Sequence, residues 1–140
     1  MAQKCKYSVI IPVYNGAQYL VALHEALSSF FQEFEQGTVS YELVFVNDGS
    51  SDNTLDQIKQ LAEKDNHITA INLSRNYGQH NATLCALRES KGEICITMDC
   101  DLQHKPTEIP KLLKSLESGK KLLYGKYDYK RHGIMQNLGS

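Results

Sequence analysis

The chain has 140 residues, 15 Lys and Arg against 16 Asp and Glu, and a formal net charge of −1. That balance leaves no electrostatic footprint for DNA or RNA, so no nucleic-acid partner is expected. No stretch reaches the ~20 apolar residues of a membrane span, and the length suits one domain, residues 1–140, with a real core.

Residues 8–13 form a nearly unbroken apolar run and read as the first strand. Pro12 cannot donate to a ladder and is expected at the strand's end, where pairing stops. After Tyr14-Asn15-Gly16 comes a helix with apolar residues at Leu20, Leu23, Leu27, Phe30 and Phe34, one stripe at spacings of three and four, closed by Gly37. Residues 41–46 are the second strand, running into Asn47-Asp48-Gly49-Ser50, and a helix follows with Leu55, Ile58, Leu61 and Ala62 on one face. Residues 68–73 make a third strand that ends in Ser74-Arg75-Asn76-Tyr77-Gly78; a helix rich in small residues spans 80–90, and Gly92 stops it. The fourth strand, Ile94-Cys95-Ile96-Thr97-Met98, ends abruptly in Asp99-Cys100-Asp101-Leu102-Gln103. Pro106 suits the first turn of the next helix, whose stripe is Ile109, Leu112, Leu113 and Leu116; residues 122–124 are a short fifth strand. Residues 126–140 lose periodicity and read as a loop or an unfinished segment.

Strands alternating with helices, the strands continuously apolar, predict an α/β domain: a mostly parallel, Rossmann-like sheet with helices on both faces. In such a sheet ligands bind outside the carboxyl ends of the strands. The polar residues collect there. Asn15 follows the first strand, Asp48 the second, Arg75 and Asn76 the third, Asp99 and Asp101 the fourth.

Asp99, Asp101 and Gln103 offer oxygen ligands alone, which suit a hard cation, Mg2+ or Mn2+, that in turn grips phosphates. Ser51 and Asp52 can cap the following helix, whereas Asp48 precedes the turn and a rim carboxylate can accept the ring N–H of a nucleobase. Arg75 either steers an anion or is simply solvated. His80 and His104 lack a second His or Cys at ligand spacing and read as polar wall residues. Lys120, Lys121, Lys126, Lys130 and Arg131 form a basic cluster, either a solvated face or a contact for diphosphate or an anionic lipid headgroup. The four cysteines, Cys5, Cys85, Cys95 and Cys100, show no C-x-x-C spacing. With no signal-peptide core after the two N-terminal lysines, they read as reduced packing thiols of a cytoplasmic protein.

Three segments in order carry a resemblance: residues 8–15 ending in Pro12-Val13-Tyr14-Asn15, then Val46-Asn47-Asp48-Gly49-Ser50-Ser51-Asp52, then Asp99-Cys100-Asp101. Together they resemble the family 2 glycosyltransferases of the GT-A fold. Ser74-Arg75-Asn76-Tyr77-Gly78-Gln79-His80, Met98 through Gln103, Pro106 and Glu108-Ile109-Pro110 are similar to the branch that uses polyprenyl phosphates.

The resemblance implies a metal-dependent, inverting transferase with a nucleotide-diphosphate-sugar donor, UDP favoured and GDP the alternative. Pro12, Tyr14 and Asp48 would line the base pocket, with Asn15 and Arg75 near the nucleotide. Asp99 would meet the ribose or a metal-bound water, and Asp101 with Gln103 would hold the metal. Arg131 would lie near the acceptor phosphate or the diphosphate. Asp99 and Asp101 are accordingly the expected catalytic pair. The acceptor would be a polyprenyl phosphate at the cytoplasmic face of a membrane, or a cell-envelope glycan.

Asn47, Cys100, His104-Lys105 and Asp128 depart from the family's usual residues. The family's acceptor-binding half and membrane helices have no counterpart here, so the expectation is the donor half of a longer enzyme, with homo-oligomerisation through an uncovered apolar surface. The alternative is a nucleotide- and metal-binding module without turnover. A haloacid-dehalogenase-type phosphatase would need its nucleophilic Asp after the first strand, and a nucleotidyltransferase a Gly-rich phosphate loop there. Tyr14-Asn15-Gly16-Ala17 supplies neither.

Overall fold

In the computed structural model, which describes residues 4–114, 122–125 and 134–136, the sheet is built outward from its first strand. Every residue of β1 (Tyr7–Val13) except Pro12 is buried. One side of β1 pairs in parallel with β2 (Tyr41–Asn47) along its full length, from Tyr7↔Tyr41 to Val13↔Asn47. Its other side pairs with β4 (Ile94–Thr97), and only from Tyr7↔Ile94 to Ile10↔Thr97. Strand β3 (Ile68–Asn72) extends the sheet beyond β2 and β5 (Leu122–Gly125) beyond β4, both in parallel. The order is β3-β2-β1-β4-β5-β6. Within residues 126–140, read as a loop or an unfinished segment, the described part is a short strand: β6 (Ile134–Gln136) lies antiparallel to β5. Three residues are too few to leave a period in the sequence.

Pro12 explains where the β1–β4 ladder ends. Met98 N donates to Ile10 O and Asp48 N to Val13 O. A parallel strand turns alternate residues to alternate neighbours, so Pro12 faces β4, where its missing N–H would have made the next bond. The expectation that pairing stops at Pro12 thus holds on the β4 side, while Pro12 stays in register with Val46 on the other.

Alternation along the strands divides the core. Val9, Ile11, Val13, Leu43, Phe45, Ile96 and Met98 face α1 (Ala17–Glu33), α2 (Thr54–Lys64) and α4 (Ile109–Lys114), which supply Leu20, Leu23, Leu27, Phe31, Ile58 and Ile109. On the opposite face Ile10, Val44 and Val46 meet Ala82 and Ala86 of α3 (Gln79–Glu89). Each fully buried large side chain contributes about 1.5–3 kcal/mol. In α1 the deeply buried aromatic is Phe31, not Phe30. Phe30 and Phe34 stack on each other at 4.8 Å at the border of the core. Phe31 stacks flat on Tyr41 (4.1 Å), and Tyr41 on His67 (4.1 Å).

Away from the carboxyl ends of the strands, Glu42 is a buried carboxylate that the apolar reading of β2 passed over. It accepts from Ser8 Oγ (2.7 Å), Thr69 Oγ1 (3.2 Å) and Lys91 N (2.5 Å), which offsets its desolvation.

A second carboxylate ties α1, α2 and β3 together. Asp65 accepts from His24 Nε2 and His67 Nδ1, both at 2.7 Å, and from His67 N at 2.9 Å. Burial pushes the Asp65 carboxyl up, but these hydrogen bonds outweigh it and hold the group below its ordinary 3.8. A depressed carboxyl contributes stability above its unfolded pKa and loses it as pH falls through the folded one. Asp65→Asn is therefore expected to cost about 2 kcal/mol at pH 7. In urea titrations across pH the gap from wild type should close below the ordinary carboxylate value of 3.8.

Candidate functional site

Because β4 leaves β1 after Ile10, the carboxyl ends of the two strands form a fork, and a pocket of about 420 Å3 lies in it. The strand order reverses direction here, the switch point at which open α/β sheets bind ligands. The end of β1 supplies Pro12, Val13 and Tyr14, and the end of β2 supplies Asp48. Asn76, Gly78 and Gln79 enter from the turn before α3, and Asp99, Cys100 and Asp101 from the end of β4.

Asp48 is only 3% exposed. Its Oδ1 accepts from Tyr77 N (2.8 Å) and its Oδ2 from Gly78 N (3.1 Å), so it fastens the β3–α3 loop to β2. Each oxygen keeps a second lone-pair direction for a ligand. Beside it Gly49 has φ +72, and a Cβ there would lie 2.2 Å from Asn76 N. Glycine lets the two loops touch backbone to backbone.

The loop after β2 is also knotted to the start of α1. Asn15 N donates to Ser50 Oγ (2.8 Å), while its Oδ1 accepts from Ser51 N (2.7 Å) and Asp52 N (3.3 Å). Asp52 Oδ1 takes Thr54 N (3.0 Å) and Thr54 Oγ1 (2.5 Å), and its Oδ2 takes Ala17 N (3.3 Å); Gly16 N donates to Thr54 Oγ1 (3.1 Å). Burial works against ionisation of Asp52, yet the Thr54 and Ala17 donors hold its carboxyl below the usual range. Neither Ser51 nor Asp52 is the N-cap of α2, which is Asn53; Asp52, one residue earlier, instead accepts the first amide of each helix, Thr54 N and Ala17 N.

After β4, Asp99 Oδ1 accepts from Gln79 Nε2 (2.8 Å), and Asp101 Oδ1 from Gln103 N (3.2 Å). Leu102 between Asp101 and Gln103 has φ +67, a conformation costing a branched residue about 1–2 kcal/mol. Cys100 packs toward Gly16, where an added Cβ would lie 2.9 Å from its Sγ. Burial, with Asp101 and Asp99 alongside, pushes its thiol up to about 11. That thiol stays protonated at neutral pH.

The fold therefore brings Pro12, Tyr14, Asp48, Asp99 and Asp101 to one pocket. Asn15 is spent on the β2–α2 loop, and Gln103 is exposed outside the pocket lining. Arg75 lies over the Tyr77 ring at 4.8 Å and lines a neighbouring hollow of about 600 Å3 with Ser50, Asp52 and Asp56, which shares only Asn76 with the pocket. Hydrogen bonding by Ser74 and then by Arg75 lowers the Tyr77 hydroxyl's pKa. Arg131 and its lysine neighbours, Lys120, Lys121, Lys126 and Lys130, lie outside the described residues. Gln79 had no role assigned from sequence; a helix-initial amide carries no mark of the carboxylate it meets 20 positions later.

The donor set fits a hard cation shared with a ligand rather than a cage made by protein alone. Asp99 and Asp101 are half-buried, and neither forms an ion pair with a lysine or arginine among the described residues. Nor do three His, Cys, Asp or Glu side chains there gather into a metal-holding group. One or two carboxylates completed by substrate phosphates and water is the usual arrangement for Mg2+.

Comparisons with known proteins bear on the family and the fold. The family model for glycosyl transferase family 2 matches residues 8–137. Undecaprenyl-phosphate 4-deoxy-4-formamido-L-arabinose transferases of Proteus mirabilis and Photorhabdus laumondii are each 44% identical over 115 residues, covering 81% of this chain and 34% of theirs. This chain thus spans about a third of the length of these relatives. Among solved structures, S. aureus TarS 1-349 in complex with UDP-GlcNAc aligns with TM-score 0.62 and 27% identity over 81% of this chain and 31% of its own. The mannosyltransferase PcManGT from Pyrobaculum calidifontis, in complex with GDP-Man and Mn2+, aligns with TM-score 0.67 over 83% of this chain and 33% of its own; at 24% identity it speaks for the fold alone.

The Asp48 clamp is directly testable. Asp48→Ala strips Tyr77 N of its acceptor and leaves Gly78 N with Asn76 Oδ1 (2.9 Å), so hydrogen exchange at the Tyr77 amide should quicken at least about tenfold, by the 1.5–3 kcal/mol typical of a bond to a charged group, and at the Gly78 amide by less. Exchange in β1 should change far less.

Proposed function

The chain belongs to glycosyl transferase family 2 and has the GT-A fold, and we propose that the pocket in the β1–β4 fork is its donor site, taking a nucleoside-diphosphate sugar. The observation that carries this reading is the pair Asp99 and Asp101, without cationic partners among the described residues, opposite Asp48 and Tyr14 across one pocket at the switch point. A nucleotide needs those two ends: an acceptor and an aromatic surface for the base, and a place for diphosphate charge.

Tyr14, 54% exposed, offers its ring to the base, and Pro12 a rigid wall. Asp48 accepts the ring N–H on the lone pairs its loop amides leave open, which favours uracil or guanine over bases without such a donor. UDP is the favoured nucleotide and GDP the alternative. Asp99 meets the ribose or a metal-bound water, and Asp101 is the principal anchor for a divalent cation, Mg2+ or Mn2+. Such a cation would offset the charge gathering on the departing diphosphate. Gln103 joins only if its exposed side chain turns inward. Arg75 acts from the adjoining hollow.

For the acceptor, the names of the relatives support a polyprenyl phosphate, with a cell-envelope glycan as the alternative. A phosphate oxygen is already anionic at neutral pH, so direct displacement with inversion at the anomeric carbon calls for no strong general base. No helix among the described residues is long and apolar enough to cross a membrane. Contact with a lipid acceptor, at the cytoplasmic face, is proposed for the whole protein, as is transfer itself. The second reading is a nucleotide- and metal-binding module without turnover, which the same pocket lining would serve.

Calorimetric titration decides. UDP should bind the wild type, Mn2+ should tighten it at least about tenfold, near the scale of one charge-assisted contact, and Asp101→Ala should lose that increment. A folded wild type that binds neither UDP nor GDP removes the donor-site reading. Binding with no transfer to a polyprenyl phosphate supports the second.

A further inference from the structure

We propose that Gln79 is a positioning residue that holds Asp99 for the cation and so couples the base side of the pocket to its diphosphate side, an inference that rests on the donor-site reading. Its backbone and its side chain are tied to different strands. Immediately before it, Tyr77 N and Gly78 N are bound by Asp48 at the end of β2. Its own Nε2 reaches across the fork to Asp99 Oδ1 at 2.8 Å, at the end of β4. Gly78 has φ +97 and nothing within 4 Å of where a Cβ would stand. Glycine is needed there for backbone direction rather than for room, and that direction launches Gln79 toward Asp99.

Asp99 needs such a partner. The β1–β4 register ends at Ile10↔Thr97, with Met98 N still bonded to Ile10 O, so Asp99 stands beyond the ladder. The Gln79 amide fixes one carboxylate oxygen and leaves Oδ2 open. A neutral donor suits the task. Lysine there would cancel the charge that a cation requires, glutamate could not donate at neutral pH, and asparagine is one methylene shorter.

Coupling follows from the connectivity. A base seated against Asp48 steadies the Tyr77–Gly78 turn, hence Gln79, hence Asp99. Binding linkage is reciprocal, so Mn2+ must tighten UDP by the same factor by which UDP tightens Mn2+.

Two measurements test this. In the apo protein, the side-chain amide resonances of Gln79 should move when Asp99→Ala removes their acceptor; resonances that stay put overturn the contact and the proposal. In titrations of UDP with and without Mn2+, Gln79→Met keeps side-chain length but has no donor. It should reduce the Mn2+ enhancement at least fivefold, with a smaller loss in metal-free UDP affinity, and Gln79→Ala should match it. Gln79 is exposed, so neither change opens the core. Undiminished Mn2+ enhancement in Gln79→Met overturns the proposal while leaving the donor site standing. A wild type that binds no nucleotide overturns both.

Discussion

Strand β1 divides its backbone hydrogen-bonding capacity between two parallel neighbours, and it does so unequally. Toward β2 the register runs through Val13; toward β4 it stops at Ile10. A single imide nitrogen, that of Pro12, faces the side that stops. Once the ladder ends, nothing in the sheet keeps β1 and β4 together, and the gap that opens lies at the one place where the winding of the sheet changes direction. The pocket, its carboxylates and the glycine contacts around it all presuppose that parting.

The rim is then assembled by side chains that bridge loops rather than by loops packing on a core. Asp48 binds the third loop to the second strand, Asn15 and Asp52 bind the second loop to the first, and Gln79 binds the third to the fourth. Each bridge is a carboxylate or amide oxygen meeting N–H groups, so the groups that shape the site are of the same kind as those that could serve a ligand. This is why position at a strand's end did not by itself separate pocket-lining residues from scaffolding: Asp48 lines the pocket and also ties the loop, while Asn15 ties the loop outside the lining.

Much of the fold was legible because its strands are buried on both faces and its helices on one. Those two burial patterns are what make apolar runs and spacings of three and four visible, from residues 8–13 to the stripe Leu20, Leu23, Leu27. Finer matters escaped where local sequence is degenerate. Phe30 and Phe31 are equally apolar neighbours, and helix rotation by a fraction of a turn decides which is inside. Glu42 was passed over in β2 because its partners, Ser8, Thr69 and Lys91, are 27 to 49 positions away. The carboxylate pair Asp99 and Asp101 was plain, ending an apolar run as it does. Its partner Gln79 was not, since a contact across the fork exists only after the sheet has formed.

The start of α1 has a consequence of its own. Sheets of this winding order commonly seat the pyrophosphate of a dinucleotide on the free amides that open the first helix, past a tight glycine turn. Here Gly16 N and Ala17 N are already taken by Thr54 Oγ1 and Asp52 Oδ2. The chain has placed its own carboxylate where a dehydrogenase keeps its anion hole. Topology alone would admit a dinucleotide to this sheet; the second loop, folded back on the first, already occupies two of the amides that would receive its pyrophosphate.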